Sequence, residues 1–257
     1  MAKPTAELTV VRTEHLTPHM VRVHLGDPGF DSFAPNDFTD MYVKLVFGTP
    51  DEQVTRTYTI RSVDHARREI AIDFVVHGDE GVAGPWAASA KSGDTVTLRG
   101  PGGAFAPDNA ADWYLFAGDE SAIPAISASV ERLRDDAVGD VLIEVGGPDD
   151  EVPLGAPVGV DVRWIHRGAS SGAVGDGNSG DNAPLIAAVR QIPWRDGRPH
   201  VFVHGEAQAV MSNLRAYVRK ERAVPASDES ISGYWRKGRT EEGFRVWKSE
   251  FAEAGNA

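Results

Sequence analysis

Apolar and β-branched residues come in short, partly alternating runs through the first hundred positions: 8–13, 20–25, 41–47, 56–62, 69–76 and 95–101. A period of two sends successive side chains to opposite faces, so each run predicts a strand with one buried face. Turn-forming clusters such as Gly26-Asp27-Pro28-Gly29 and Gly48-Thr49-Pro50 separate the runs. Short strands punctuated in this way predict a small antiparallel barrel, a closure that leaves no sheet edge exposed. One helix, over 84–90, interrupts it.

The pattern changes near Pro107-Asp108. The run Trp113-Tyr114-Leu115-Phe116-Ala117-Gly118 is apolar throughout, as a strand buried on both faces requires. Asp119-Glu120-Ser121 supplies caps for a helix over 122–134. Strands follow at 141–145, 162–166 and 201–205, with helices at 185–191 and 207–221. Strand and helix in alternation predict a parallel sheet with crossover helices. The expected fold class is two-domain: an N-terminal antiparallel β-barrel over 1–107, then an α/β domain with a parallel sheet over 108–257. Residues 169–182, rich in Gly, Ser and Asn, predict a mobile surface loop.

Composition narrows the chemistry. The 257 residues are 41% hydrophobic and 25% charged, which suits a globular chain with a real core. No apolar run nears the roughly 18 residues that a membrane span needs. Residues 1–7 lack the apolar core of a secretory signal, so a soluble cytoplasmic protein is expected. The chain has no cysteine. Disulfides, thiolate metal sites, cysteine nucleophiles and iron–sulfur clusters are thereby excluded. Redox chemistry would need a bound organic cofactor or a metal on N and O ligands. A formal net charge of −12 argues against nucleic acid and anionic membranes as partners. Any anionic ligand needs a locally basic pocket.

Two segments carry candidate chemistry. In Arg56-Thr57-Tyr58-Thr59, strand geometry projects Arg56 and Tyr58 together. A guanidinium suits a pyrophosphate, a tyrosine ring suits an aromatic ring system, and the Thr59 hydroxyl and N–H suit ring nitrogens. The same residues also read as a barrel strand with one surface arginine. The second segment runs from Asp73-Phe74-Val75-Val76-His77-Gly78 into Gly81-Val82-Ala83-Gly84-Pro85-Trp86-Ala87. It reads as a strand, a glycine-rich loop and a helix start with Pro85 in its first turn, where free N–H groups can meet a phosphate. His77 either contacts that ligand or packs at the strand end.

The tract Tyr234-Trp235-Arg236-Lys237-Gly238-Arg239 sets two aromatic rings beside three cations. It reads either as a cover over a ligand cleft or as a solvated helix end. Neither a nucleophile elbow nor an H-E-x-x-H motif is present. The eight histidines are scattered, and His15 and His19 flank Pro18 in a turn, so no metal site is expected.

Five stretches in order and spacing make the chain resemble the siderophore-interacting proteins, a branch of the ferredoxin-reductase-like flavoenzymes. They are RTYTIR (56–61), DFVVHGDEGVAGPWA (73–87), Gly93-Asp94 with Arg99-Gly100-Pro101, GDESAIPAI (118–126) and GYWRKG (233–238). The likeness runs from about Leu8 to Gly238. It implies an FAD-dependent ferric-siderophore reductase, which takes electrons from NADH or NADPH and passes them through the flavin to Fe(III) in the chelate, releasing Fe(II). It implies that Arg56, Tyr58 and Thr59 hold the flavin, with Thr59 beside the N5 edge as the catalytic contact. Val75 and His77 would line the same site, and Gly81, Ala83, Gly84, Pro85 and Ala87 would cradle the pyrophosphate. Asp119, Glu120 and Ser121 end the first parallel strand, where open α/β sheets bind ligands. They would face the nicotinamide cofactor together with Trp235 and Lys237. Lys44, Arg236 and Arg239 would meet the siderophore.

The chain departs from its relatives in two places. It has no G-x-G-x-x-G fingerprint, which leaves NADH against NADPH open. Where some relatives carry an arginine after Gly-Pro, this chain has Gly102 and Gly103, and whether Arg99 stands in is open. Two other functions share these features: a general flavin-linked oxidoreductase passing electrons to a protein partner, and a carrier that binds siderophore without turnover.

Overall fold

The structure, a computed structural model, describes residues 4–49, 51–77 and 81–256. Pro50 of the predicted turn and Gly78-Asp79-Glu80 of the 73–87 tract lie outside the described residues. Six antiparallel strands close a barrel, as the alternation predicts. They are β1 (Thr5–Thr17), β2 (Met20–Pro28), β3 (Tyr42–Thr49), β4 (Glu52–Asp64), β5 (Glu69–Val75) and β6 (Thr95–Gly102), in the order β1-β2-β5-β4-β3-β6. On β3, Val43, Leu45 and Phe47 enter the barrel core while Tyr42, Lys44 and Val46 take the other face. On β6, Val96 and Leu98 go in and Thr97 and Arg99 stay out. Helix α1 (Ala83–Ser89) packs Trp86 against Phe47 and Phe74, with ring centroids 5.5 and 5.6 Å apart.

The second domain is a parallel sheet of β7 (Trp113–Asp119), β8 (Val138–Val145), β9 (Gly159–His166), β10 (Pro199–Glu206) and β11 (Glu229–Trp235), in the order β11-β10-β7-β8-β9. β7 is buried at every position. Its Tyr114 and Phe116 pack toward α2 (Ile123–Val130). Trp113, Leu115 and Ala117 pack toward α3 (Pro184–Gln191) and the helical stretch 207–221. Covering both faces explains the unbroken apolar run.

Two elements go beyond those predicted. β11 begins five residues before Tyr234, and a further helix, α4 (Glu241–Phe251), follows the basic tract. β11 buries only Ile231 and Gly233 and shows no strong apolar period, whereas α4 sets Phe244, Trp247 and Phe251 on one face at helical spacing, a signal the sequence pattern did carry. The tract is therefore a strand end and turn, not a helix end. Lys248 of α4 donates to Ser232 Oγ (2.8 Å) and the Gly233 carbonyl (3.2 Å), covering the edge of β11. Residues 169–182 are also more ordered than their composition predicts. They form two 3-10 turns, Asp176–Asn178 and Gly180–Asn182, bury Val174, and are tied by Asn178 Nδ2 to the Arg167 carbonyl (3.0 Å).

The domains meet through a shared apolar cluster that includes Met20 and Phe105 with Phe116, Ile126 and Phe202. Polar clamps surround it. Ser129 Oγ donates to Thr39 Oγ1 (2.8 Å), His19 Nδ1 lies 2.7 Å from Asp150 Oδ1, and Arg61 grips Glu131 through both terminal nitrogens. Among the described residues no helix is long and apolar enough to cross a membrane.

Candidate functional site

β4 carries the first part of the site. Its register pairs Leu45 with Arg56, Val43 with Tyr58, and Tyr42 with Thr59. Arg56 and Tyr58 thus share a face, as predicted, and Thr59 takes the other. Tyr58 packs on Phe74 with centroids 4.4 Å apart, and burial pushes its phenol well above the usual range. Arg56 Nη1 donates to the Thr55 carbonyl (2.9 Å) and to Glu242 Oε1 (2.9 Å), and its Nε lies 3.8 Å from Glu241 Oε2. Thr57 Oγ1 donates to Glu241 Oε1 at 3.2 Å. The first turn of α4 therefore sits on the arginine with two carboxylates. Among the described residues, Arg56 Nη2 has no hydrogen-bond partner. Thr59 is buried beside the phenol of Tyr234, whose ring meets His204 edge-on at 4.7 Å.

The loop after β5 supplies the second part. Val75 ends β5 and pairs with Met20. His77 lies against the second domain: a Cβ on Gly172 would stand 3.2 Å from its Nδ1. Gly81 has φ +80°, and among the described residues no atom lies within 4 Å of a Cβ position. Among the described residues no side chain caps the start of α1, where Ala83 and Gly84 carry the first amides. Gly84 runs close under β5, its Cβ position 3.3 Å from the Val75 carbonyl oxygen. A guanidinium with an open nitrogen, a tyrosine ring, a glycine turn and uncapped amides are the donor set of a ring system bearing phosphates. These residues fit FAD.

The third part is the crevice between the C-terminal ends of β7 and β10, where the strand order reverses. Asp119 is consumed in building it. Its Oδ1 accepts from Ser121 N (3.0 Å) and Ser121 Oγ (2.5 Å), and its Oδ2 accepts from Glu206 N (2.7 Å) and Trp235 Nε1 (2.8 Å). Glu120 is buried in a two-point ion pair with Arg167, one contact at 2.8 Å, and Arg167 Nη1 also lies 3.5 Å from Glu144 Oε1. Burial pushes Glu144 up to about 7, against the pull of the Leu185 N–H and Arg167. A cavity of about 260 Å³ opens beside Arg167, Gly168, Val174 and Asn178.

The cations of the basic tract are largely engaged. Lys237 Nζ donates to the Val174 carbonyl (2.7 Å), Asp176 Oδ1 (2.9 Å) and Ser179 Oγ (3.0 Å). Arg236 Nη1 donates to Gln208 Oε1 (2.7 Å), and its guanidinium lies 4.4 Å from the Trp247 ring centroid. Arg239 is exposed and makes no ion pair among the described residues. The outer barrel face brings Lys44 into register with Thr57 and Arg99. The departure at Gly102 has a steric explanation: a Cβ there would fall 2.4 Å from Tyr42 Cζ, so the tyrosine ring fills the place of a side chain. Sequence reasoning missed Tyr234, Arg167, Glu206 and the α4 carboxylates as parts of the site. Only the aromatic-cation tract signalled the first.

Comparison with known proteins adds the following. Residues 9–55 and 51–105 match the family model of the siderophore-interacting FAD-binding domain, and residues 111–238 match that of the siderophore-interacting protein. The chain is 56% identical to an uncharacterized protein of Mycobacterium tuberculosis, over 98% of this chain and 97% of that one. It is 30% identical to ferric vibriobactin reductase ViuB of Vibrio cholerae, over 92% of this chain and 91% of that one. Among solved structures it is similar to a siderophore utilization protein from T. fusca, with a TM-score of 0.78, 32% identity, and 93% and 96% of the two chains covered. A ferredoxin NADP+ reductase from Neisseria gonorrhoeae shares the fold at a TM-score of 0.62 and 13% identity, with 90% and 99% covered.

Proposed function

The chain belongs to the siderophore-interacting protein family, and on that premise we propose that it is an FAD-dependent ferric-siderophore reductase driven by NADH or NADPH. The observation that carries this reading is the grouping of Arg56, with an open nitrogen, the Tyr58 ring, and the uncapped start of α1 behind the turn at Gly81. When bound, FAD supplies the link between a two-electron nicotinamide donor and one-electron reduction of Fe(III).

Arg56 and the first amides of α1 hold the phosphates, in a cradle shaped by Gly81, Ala83, Gly84, Pro85 and Ala87. Tyr58, Val75 and His77 flank the ring system and exclude water from it. Thr59, beside Tyr234, presents its hydroxyl to the reacting edge. Asp119, Glu120, Ser121, Trp235 and Lys237 wall the crevice assigned to the nicotinamide donor. Lys44, Arg236 and Arg239 attract the chelate. Fe(III) is substrate here, and oxygen-rich chelators hold Fe(II) less tightly.

The test is the visible spectrum of the purified protein before and after anaerobic NADH, then NADPH, then a ferric siderophore. The expected result is a two-band flavin spectrum that one donor bleaches and the siderophore restores. A colourless protein that takes up no FAD sinks the reading. A yellow protein that neither donor bleaches removes the crevice assignments.

A further inference from the structure

β9 is an outer strand of the parallel sheet, paired with β8 on one side only. The other outer strand, β11, is covered by Lys248 of α4. β9 has no such cover. Beyond its ladder with β8 and one turn contact to Pro157, the backbone of 159–166 has no hydrogen-bond partner among the described residues. A free edge of this length is a template for another strand. Proline, lysine and bulges are the usual guards. β9 contains neither residue, and its ladder with β8 runs without a register shift. Its apolar side chains stay partly in water: Val162, Trp164 and Ile165 are half-buried. Val138 and Val158, two of the exposed large hydrophobic residues, flank its start.

The charges of β9 say what its edge fits. Val160, Val162 and Trp164 leave on the face that packs toward α2, so Asp161, Arg163 and Ile165 leave on the other. There Asp161 is the register partner of Asp140 on β8. Like charges directly opposite one another destabilise a sheet. Asp140 is already held by two guanidinium groups, Arg163 Nη2 at 2.6 Å and Arg195. Asp161 has only its own strand's Arg163 Nε, at 3.1 Å, as an ion-pair partner among the described residues, and its side chain is 62% exposed. A cation arriving along the free edge would relieve it.

A second copy of β9 supplies that cation. Two copies laid antiparallel about a two-fold axis through residue 162 set each Asp161 against Arg163 of the other copy, Val162 against Val162, and Val160 against Trp164. Both charge rows are then complementary, and β-branched and aromatic residues meet on the opposite face. With the axis at residue 161, Asp161 faces Asp161; at residue 163, Arg163 faces Arg163. Of the three registers that pair the middle of the strand, one alone avoids a like-charge row. It also carries the exposed Val158 onto the second copy, opposite His166. We propose that β9 is a self-association edge, through which two copies of the chain join their parallel sheets, with Asp161 of each on Arg163 of the other. The contact is isologous, so it closes on two copies. It goes beyond the reductase reading and does not depend on it.

Sedimentation equilibrium of the full chain, over about a hundredfold range of concentration, tests this. The wild type is expected to show a monomer–dimer equilibrium. Asp161→Arg sets arginine against Arg163 of the second copy, and is expected to raise the dimer dissociation constant about tenfold or more. The same variant places a cation opposite Asp140, so it is expected to melt no lower than the wild type. Exchanging the two charges, Asp161→Arg with Arg163→Asp, restores complementarity in the same register and is expected to bring the dissociation constant back to within about threefold of the wild type. Hydrogen exchange gives a second reading: amides of 159–166 are expected to slow as concentration rises in the wild type, and not in D161R. A wild type that stays monomeric over the whole range overturns the proposal. So does a dimer that D161R leaves intact, or a charge-exchanged variant that folds as the wild type does and stays monomeric.

Discussion

Arg56 Nη1 lies 2.9 Å from Glu242 Oε1, a contact between residues 186 positions apart that ties a barrel strand to the last helix. In the proposed site, cofactor phosphates and this carboxylate would call on the same guanidinium. The pair is partly exposed, so its own worth is about 0.2–1 kcal/mol. Glu242→Gln is expected to cost no more stability than that, and to tighten FAD binding about threefold at low salt, with the gain shrinking as salt rises. Arg56→Gln is expected to weaken FAD binding by about tenfold or more. Flavin fluorescence titrations at two ionic strengths read both. Weaker binding in E242Q would mean that Glu242 supports the arginine instead of competing for it.

Tyr234 reaches Thr59 from the other domain, and burial keeps its phenol neutral. At the proposed reacting edge it therefore acts as a neutral group beside Thr59, not as a charge. Tyr234→Phe is expected to slow flavin reduction by the donor about tenfold, the kinetic equivalent of about 1.4 kcal/mol, while FAD affinity stays within about twofold. Thr59→Ala is expected to do the same, and the double variant to be no slower than the worse single one. Stopped-flow bleaching measures each. A parallel loss of FAD affinity in Y234F would reduce the residue to a packing role.

Gly118 and Gly81 are both motif glycines, held for different reasons. A Cβ on Gly118 would stand 2.4 Å from the His204 carbonyl oxygen and 2.5 Å from Ala122 Cβ, neither of which can yield without moving backbone. Gly118→Ala is expected to destabilise the fold by about 3 kcal/mol, read as a lower urea midpoint. Gly81 sits at φ +80°, with no atom of the described residues within 4 Å of a Cβ position, so Gly81→Ala costs about 1 kcal/mol of backbone strain. Its larger expected effect is on FAD uptake.

Two buried groups give opposing dependences on pH. His204 stacks on Phe202 with centroids 3.9 Å apart, and burial lowers it from 6.5 to about 3. The unfolded chain binds the proton that the folded chain refuses, so stability falls as pH drops from 6.5 toward 3, by about 1.4 kcal/mol per unit. Glu144 is raised from 4.5 to about 7, so the folded chain keeps a proton that the unfolded chain releases. Its contribution falls as pH rises from 4.5 to 7. Between pH 4.5 and 6.5 the two slopes oppose each other. Glu144→Gln is expected to unmask a steeper acid loss in that window, and His204→Phe a loss toward neutral pH. Urea midpoints across the range decide, and identical profiles in both variants and the wild type would refute the assignment.

The strands of the barrel were readable because Val43, Leu45 and Phe47 alternate with polar or half-exposed neighbours. β7 was readable because nothing along it is polar until Asp119. β11 was not, since an edge strand that buries Ile231 and Gly233 leaves little period to detect; α4 carried the stripe Phe244, Trp247 and Phe251 at helical spacing, and the basic tract before it drew the reading instead. The face shared by Arg56 and Tyr58 follows from strand geometry alone. What occupies Arg56 does not, because its partners arrive from the far end of the chain. The same limit explains Lys237 and the 169–182 segment. A Gly-Ser-Asn stretch predicts freedom, and the lysine that gathers Val174, Asp176 and Ser179 lies 58 to 63 positions on.

Helix α4 is anchored unequally at its two ends. Toward its C-terminal half Lys248 holds β11 through two acceptors; in the first turn Phe244 is buried while Glu241 and Glu242 hold the barrel through partly exposed contacts. Salt screens the second grip far more than the first. Any breathing of the molecule that parts the barrel from the sheet therefore begins at the Arg56 end, with α4 riding on the second domain like a latch. On the proposed function, the ease with which a large chelate or a cofactor enters becomes a function of ionic strength.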